Sequence, residues 1–145
     1  MEASGPMKIS AKAEYACLAL LALAQQSPDA PPVRIREISD THAIPERYLV
    51  QILLQLKGAG LVVSTRGASG GYRLARPAAK IALSEVLAVI DGPDTPQRGS
   101  AREKRPAARI LGVVWDRVRA AERSILDTTT IAELVAQASP HEWTI

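Results

Sequence analysis

Arg47 and Gln51 stand four residues apart, so on an α-helix they share one face. Both side chains match base edges: a guanidinium pairs with guanine O6/N7, a carboxamide with adenine N6/N7. Glu46, just before them, has two chemical uses. It can accept from cytosine N4, or it can complement the positive end of a helix dipole. Further on, the run "RGASGG" (residues 66–71) puts Arg66 beside Gly67, Gly70 and Gly71, with Ser69 between them and Arg73 and Arg76 following. Glycines there permit positive φ and close backbone approach to a phosphate or a minor-groove wall, and the arginines suit phosphate contacts. No paired carboxylates, nucleophile–base set or metal cluster stands out, and His42 and His141 are isolated from each other in sequence. The chemistry on offer is recognition rather than catalysis, with no metal or cofactor.

The segment that positions these residues is 44–74. Tyr48, Leu49, Ile52, Leu53 and Leu56 recur at helical spacing, which predicts a helix to about Lys57 with Pro45 in its first turn. Gly58 and Gly60 predict a tight turn. "LVVST" and "YRLA" then predict two short strands joined by the glycine-rich tip. A shorter helix, about residues 35–41, precedes across a turn at His42 and Ala43. Two helices, a turn and a basic hairpin are the layout of a winged helix-turn-helix, whose second helix enters the major groove of double-stranded DNA. Tyr48 joins Glu46, Arg47, Gln51, Arg66, Gly67, Ser69, Gly70, Gly71 and Arg73 as the candidate DNA-binding set. The plainer alternatives are a solvated helix face and a basic surface hairpin. A nucleotide-binding loop fits less well, because "RGASGG" lacks the GxxxxGK[ST] spacing and precedes a strand.

Composition sets bounds on this reading. Apolar residues make up 47% of 145, yet phenylalanine is absent, so the core must be aliphatic and mainly helical. The net charge of +3 agrees with a nucleic-acid partner. A single cysteine, Cys17, excludes an intrachain disulfide and reads as a buried core thiol. The longest apolar run, "ACLALLALA", is too short to span a membrane, and the opening residues resemble no signal peptide; a cytoplasmic protein is expected.

The stretches "MKISAKAEYACLALLALA", "IREISDTHAIPERYLVQILLQLKGAGLVVSTRGASGGYRLARPA" and "IALSEVLAVIDGP" resemble the winged-helix regulators grouped with the iron–sulfur cluster regulator, the nitric-oxide-sensing repressor and the cysteine-metabolism repressor (IscR, NsrR and CymR). The resemblance implies a homodimer on an inverted-repeat operator. It would place Arg47, Tyr48 and Gln51 in the major groove, and Arg66, Gly67, Gly70 and Gly71 in the minor groove. Many such relatives hold an iron–sulfur cluster through three cysteines after "DGP". Here the loop that follows has none. Glu14 matches an acidic ligand position of some relatives, but lacks thiolates to work with. The resemblance therefore implies a cluster-free regulator, expected to be a repressor; cluster-free relatives sense another protein or a small molecule, or have no known signal, and each of these is open here.

The remaining chain reads as support. Ser10 is a candidate N-cap for a first helix over residues 11–25, whose broad apolar stripe predicts burial on more than one side. A fourth helix, about 83–90, closes a DNA-binding domain of residues 7–91, after a disordered extension at 1–6. Residues 92–105 read as a flexible linker. Pro106 opens a long helix to about Leu126. On it Ile110, Val114, Val118, Ala121 and Ile125 form a heptad-like dimerisation seam, widened by Leu111 and Trp115, candidate walls of an apolar effector pocket. Thr130 and Glu133 make a capping-box pattern for a docking helix that ends the 106–138 unit, and 139–145 is a tail. The overall expectation is a mainly α fold with a small β wing and a long C-terminal dimerisation helix. A scaffold module that binds a metabolic enzyme or effector protein is the alternative function.

Overall fold

The computed structural model describes residues 9–27, 29–92 and 105–138. The expected extension at 1–6, nearly all of the 92–105 linker and the 139–145 tail lie outside those residues. Helix α1 (Ala11–Ala24) is the axis of the domain. Ser10 caps it, accepting from the Ala13 N–H at 3.0 Å, and its hydroxyl donates to the Asp91 carboxylate at 2.8 Å. One side chain thereby joins the start of α1 to the end of the helix Leu83–Asp91. Ala13, Ala16, Ala19, Leu20, Ala22 and Leu23 are all buried, on more than one side of the helix. Small alanines let the neighbouring helices approach closely, which is how an aliphatic core forms without phenylalanine.

Helix α2 (Ile35–His42) starts where the Glu37 carboxylate accepts from the Arg34 N–H at 2.9 Å. That bond supplies a cap the sequence pattern did not disclose. Helix α3 (Glu46–Gly58) follows, with Pro45 at its N-cap rather than inside its first turn. Leu49, Ile52, Leu53 and Leu56 are completely buried, worth on the order of 2 kcal/mol each relative to exposure. Tyr48 does not join them; it is half exposed. The helix stops in a Schellman motif. Gly60, at φ +81°, sends its N–H to the Lys57 carbonyl at 3.0 Å, and the Leu61 N–H reaches the Leu56 carbonyl at 2.9 Å.

Strands β1 (Val62–Thr65) and β2 (Gly71–Leu74) pair antiparallel, Val62 opposite Leu74 and Thr65 opposite Gly71. A third segment joins them: Val33 and Tyr72 exchange N–H···O bonds of 2.9 and 2.8 Å, tying the loop before α2 to the wing. A short 3-10 turn (Ala78–Lys80) leads to α4 (Leu83–Asp91). Helix α5 (Pro106–Thr128) ends beside the start of α4, where the Leu83 N–H donates to the Thr129 carbonyl at 2.9 Å. Helix α6 (Ile131–Gln137), capped by Thr130, returns to α1 and inserts Ile131 completely into the core. The fold is therefore mainly helical with a two-stranded wing. Among the described helices none is long and apolar enough to cross a membrane.

Candidate nucleic-acid interface

The turn between α2 and α3 is closed from both sides. The Ile44 N–H donates to the Ser39 carbonyl at 3.1 Å, and the Ser39 hydroxyl donates to the Ile44 carbonyl at 2.6 Å. Closing it puts Ala43 at φ +55°, the left-handed region that a Cβ disfavours. Ile44 is buried just after it, so the angle between the helices is set by the core and by the turn together.

With Leu49, Ile52, Leu53 and Leu56 facing in, the opposite face of α3 carries Arg47, Val50, Gln51 and Leu54, spaced i, i+3, i+4, i+7. All four are exposed. The Arg47 guanidinium sits 5.4 Å from the Tyr48 ring centroid, a cation–π contact that limits its freedom. Glu46 forms a surface pair with Arg36 of α2 at 3.6 Å, an interaction worth little in water. Gln55 leaves this face: its amide donates to the Val89 carbonyl of α4 at 3.5 Å.

On the wing, Val63, Thr65 and Arg73 point outward, while Val62, Tyr72 and Leu74 pack inward. Arg66, Gly67 and Ser69 are exposed at the tip. The glycines divide by role. Gly67 (φ +101°) has open space around it. Gly70 is buried, and a Cβ there would strike the Thr65 carbonyl; at Gly71 (φ +152°) a Cβ would lie 2.5 Å from the Val33 oxygen. Packing within the chain alone thus demands glycine at both. Arg76 is committed internally as well, to the Glu85 carboxylate and the Lys80 carbonyl, so it is not part of a phosphate-binding cluster. A cleft of about 360 Å³ opens between wing and α2, lined by Arg34, Ile35, Thr65, Arg66, Gly67 and Gly70 among others. Arg34 escaped the sequence reading because it precedes α2, and only the Val33–Tyr72 bridge brings it to the wing. A larger cleft, about 450 Å³, lies behind the wing between the end of α1, Val33, Tyr72 and Pro77. Neither is lined by Leu111 or Trp115.

The distal helix differs. Ile110 (67% exposed), Leu111, Val113, Val114 and Ile125 are bare, and none of the 23 residues of α5 is buried. Val118 is half-buried and Ala121 exposed, while Trp115 is half-buried on the neighbouring flank.

The chain matches the model of the Rrf2 family, described as "Iron-dependent Transcriptional regulator", over residues 9–137. It is 35% identical over 130 residues to the HTH-type transcriptional regulator CymR of Bacillus subtilis, covering 90% of this chain and 91% of that one. It is 33% identical over 138 residues to the HTH-type transcriptional regulator IscR of Photobacterium profundum, covering 94% and 80%. The solved structure of CymR, the global cysteine regulator of B. subtilis, superposes with a TM-score of 0.81 at 34% identity, over 92% of this chain and 99% of that one. The residues present here do not fit an iron–sulfur cluster. Cys17 is the chain's single thiol, and burial, then the nearby Glu14 charge, push its pKa up to about 11. A thiol held protonated is a poor ligand, and among the described residues no group of three or more His, Cys, Asp or Glu is placed to hold a metal ion.

Proposed function

The chain belongs to the Rrf2 family of DNA-binding transcriptional regulators, not to an enzyme family, and from that premise we propose that it is a cytoplasmic repressor acting as a homodimer on an inverted-repeat operator, without an iron–sulfur cluster. The observation that supports it best is the exposed face of α3, carrying Arg47 and Gln51, in a chain whose wing tip also exposes Arg66. In this reading Glu46, Arg47, Tyr48 and Gln51 enter the major groove. Arg66, Gly67 and Ser69 follow the backbone into the minor groove, with Gly70 and Gly71 shaping the loop and Arg73 on a phosphate. The bare stripe of Ile110, Val114, Ala121 and Ile125, with Val118 at its edge, meets the same stripe of a second copy, and the two recognition helices then match a two-fold operator. The signal is a small-molecule or protein effector.

Selection of bound genomic fragments by the purified chain should return an inverted repeat, bound with strong inverse salt dependence. Gln51→Ala should alter base preference, whereas Arg66→Ala should weaken all sequences together and lower the salt slope by about 1. Equal affinity for selected and random duplexes across the salt range would sink the proposal. Placing the operator over a promoter in a purified transcription system tests repression directly.

A further inference from the structure

The outer face of α3 is not uniformly polar. Val50 is 39% exposed and Leu54 53% exposed, and together with Arg47 and Gln51 they complete one stripe along the helix. Both lie off the core side of the helix. The core side of α3 is filled by Leu49, Ile52, Leu53 and Leu56, and the bare seam of α5 lies on a different element. Arg47 is part of the stripe itself, and Arg34 and Arg66 are exposed at the cleft between α2 and the wing, while Arg36 pairs with Glu46. A polyanion is the complementary occupant, and apolar side chains within such a face need an apolar feature on it. In the major groove the only such feature of the base edges is the C5-methyl group of thymine.

We propose that Val50 reads a thymine methyl group in each half-site, next to the base edge addressed by Gln51. The inference rests on the proposal that α3 is the recognition helix. Val50 is favoured over Leu54 by position. It lies in the second turn of a helix that runs from Glu46 to Gly58, and recognition helices use their N-terminal residues on base edges. Val50 and Gln51 are adjacent, and a carboxamide on adenine next to a branched methyl pair on thymine is a reader of A·T pairs. The β-branched side chain has one rotatable bond, so little freedom is lost when it packs on a methyl. Arg47, one turn earlier and stacked on Tyr48, would read the flanking guanine.

Deoxyuridine replacing thymidine removes only this methyl and leaves every base-pair hydrogen bond in place. The full chain is titrated against its selected operator and against duplexes with single thymine-to-uracil replacements. The expected result is one position per half-site where binding weakens about fourfold, the value of one buried carbon. Val50→Ala, an exposed change that spares the core, removes the contact from both half-sites, so it should bind the thymine operator about 16-fold more weakly and no longer distinguish uracil at that position. Leu54→Ala should keep the distinction. Uracil tolerated at every position by the unaltered chain overturns the inference, and that comparison needs no variant. A distinction that survives in Val50→Ala, or vanishes only in Leu54→Ala, overturns it too. Failure to select any operator would overturn the recognition-helix reading along with it, whereas a tight operator indifferent to its methyl groups overturns this inference alone.

Discussion

Helices α3 and α5 both present apolar side chains to solvent, yet they are anchored in opposite ways. Four residues of α3 have no exposed surface, whereas none of α5 is buried. Helix α4, nine residues and about 13 Å long, cannot cover an α5 of about 34 Å. Much of the apolar stripe of α5 is therefore left bare, and in the proposed dimer a second copy would cover it. The lesson is that exposure means different things on the two helices. On α3 the exposed face is a display held rigid from behind; on α5 it is the face that the proposed dimer would bury.

Truncating the two helices in turn is the sharpest way to break that contrast. Leu53→Ala should destabilise the domain by about 3 kcal/mol, read from denaturant unfolding, because it leaves a cavity in a closed core. Ile125→Ala should leave unfolding of the monomer within about 0.5 kcal/mol of the parent, since most of its side chain already faces solvent. Equal losses at the two positions would erase the distinction. Val114→Asp tests the proposed dimer face directly. Charge placed on the stripe should turn a dimer into a monomer by sedimentation and lower operator affinity about 100-fold, as the second half-site ceases to be linked to the first.

The wing belongs with the anchored region, and Gly71 shows why. Gly71→Ala should cost about 2 kcal/mol, since its Cβ meets the Val33 backbone from an already unfavourable φ. Gly67→Ala carries the φ penalty alone and should cost less. If the two variants unfold alike, the Val33–Tyr72 bridge is not what fixes the hairpin.

These glycines also mark the limit of what the sequence discloses. Helical spacing made α3 legible to within a residue at each end, and the short strands were legible from their β-branched residues. Local patterns carry such elements. The tip was legible as glycine-rich, but the pattern suggested glycines cleared for a phosphate, whereas Gly70 and Gly71 are cleared for Thr65 and Val33. Val33 lies far away in sequence, in a loop bounded by prolines, and nothing local announces that it pairs with Tyr72. Arg76 looked like a third phosphate ligand until Glu85, on the next helix, claimed it. Val50 and Leu54 were overlooked for a different reason. The eye sorts apolar residues to the core, and only the angular position about the α3 axis separates them from Ile52 and Leu53.

Ala43 offers a smaller and opposite effect in the same anchored region. Its φ of +55° is one that glycine adopts without penalty, so Ala43→Gly should stabilise the domain by about 0.5 kcal/mol, relief of strain outweighing the freer unfolded chain. The same substitution at Ala121 of α5 should destabilise the helix by about 1 kcal/mol, because there glycine only adds backbone freedom. A loss of stability at both positions would mean that the turn is not strained.

Acid should separate the two regions last and most gently. His42 ends α2, where the helix dipole would favour its charged form, yet burial dominates and lowers its pKa below the ordinary 6.5. The folded state therefore prefers the neutral imidazole, while the unfolded chain takes up a proton as pH falls through 6.5. Between that value and the lower folded pKa the unfolded state binds more protons, so stability rises with pH across the window and falls on acidification. Denaturant midpoints taken from pH 7.5 down to pH 5.5 should decline for the parent chain and flatten in His42→Asn. Because His42 sits beside the turn that orients α3 and not on α5, the monomer–dimer constant of the folded chain should keep the same pH profile in parent and variant. A midpoint profile that His42→Asn leaves untouched would remove the histidine from the acid response, and a dimer constant that follows His42 would show the two regions to be coupled after all.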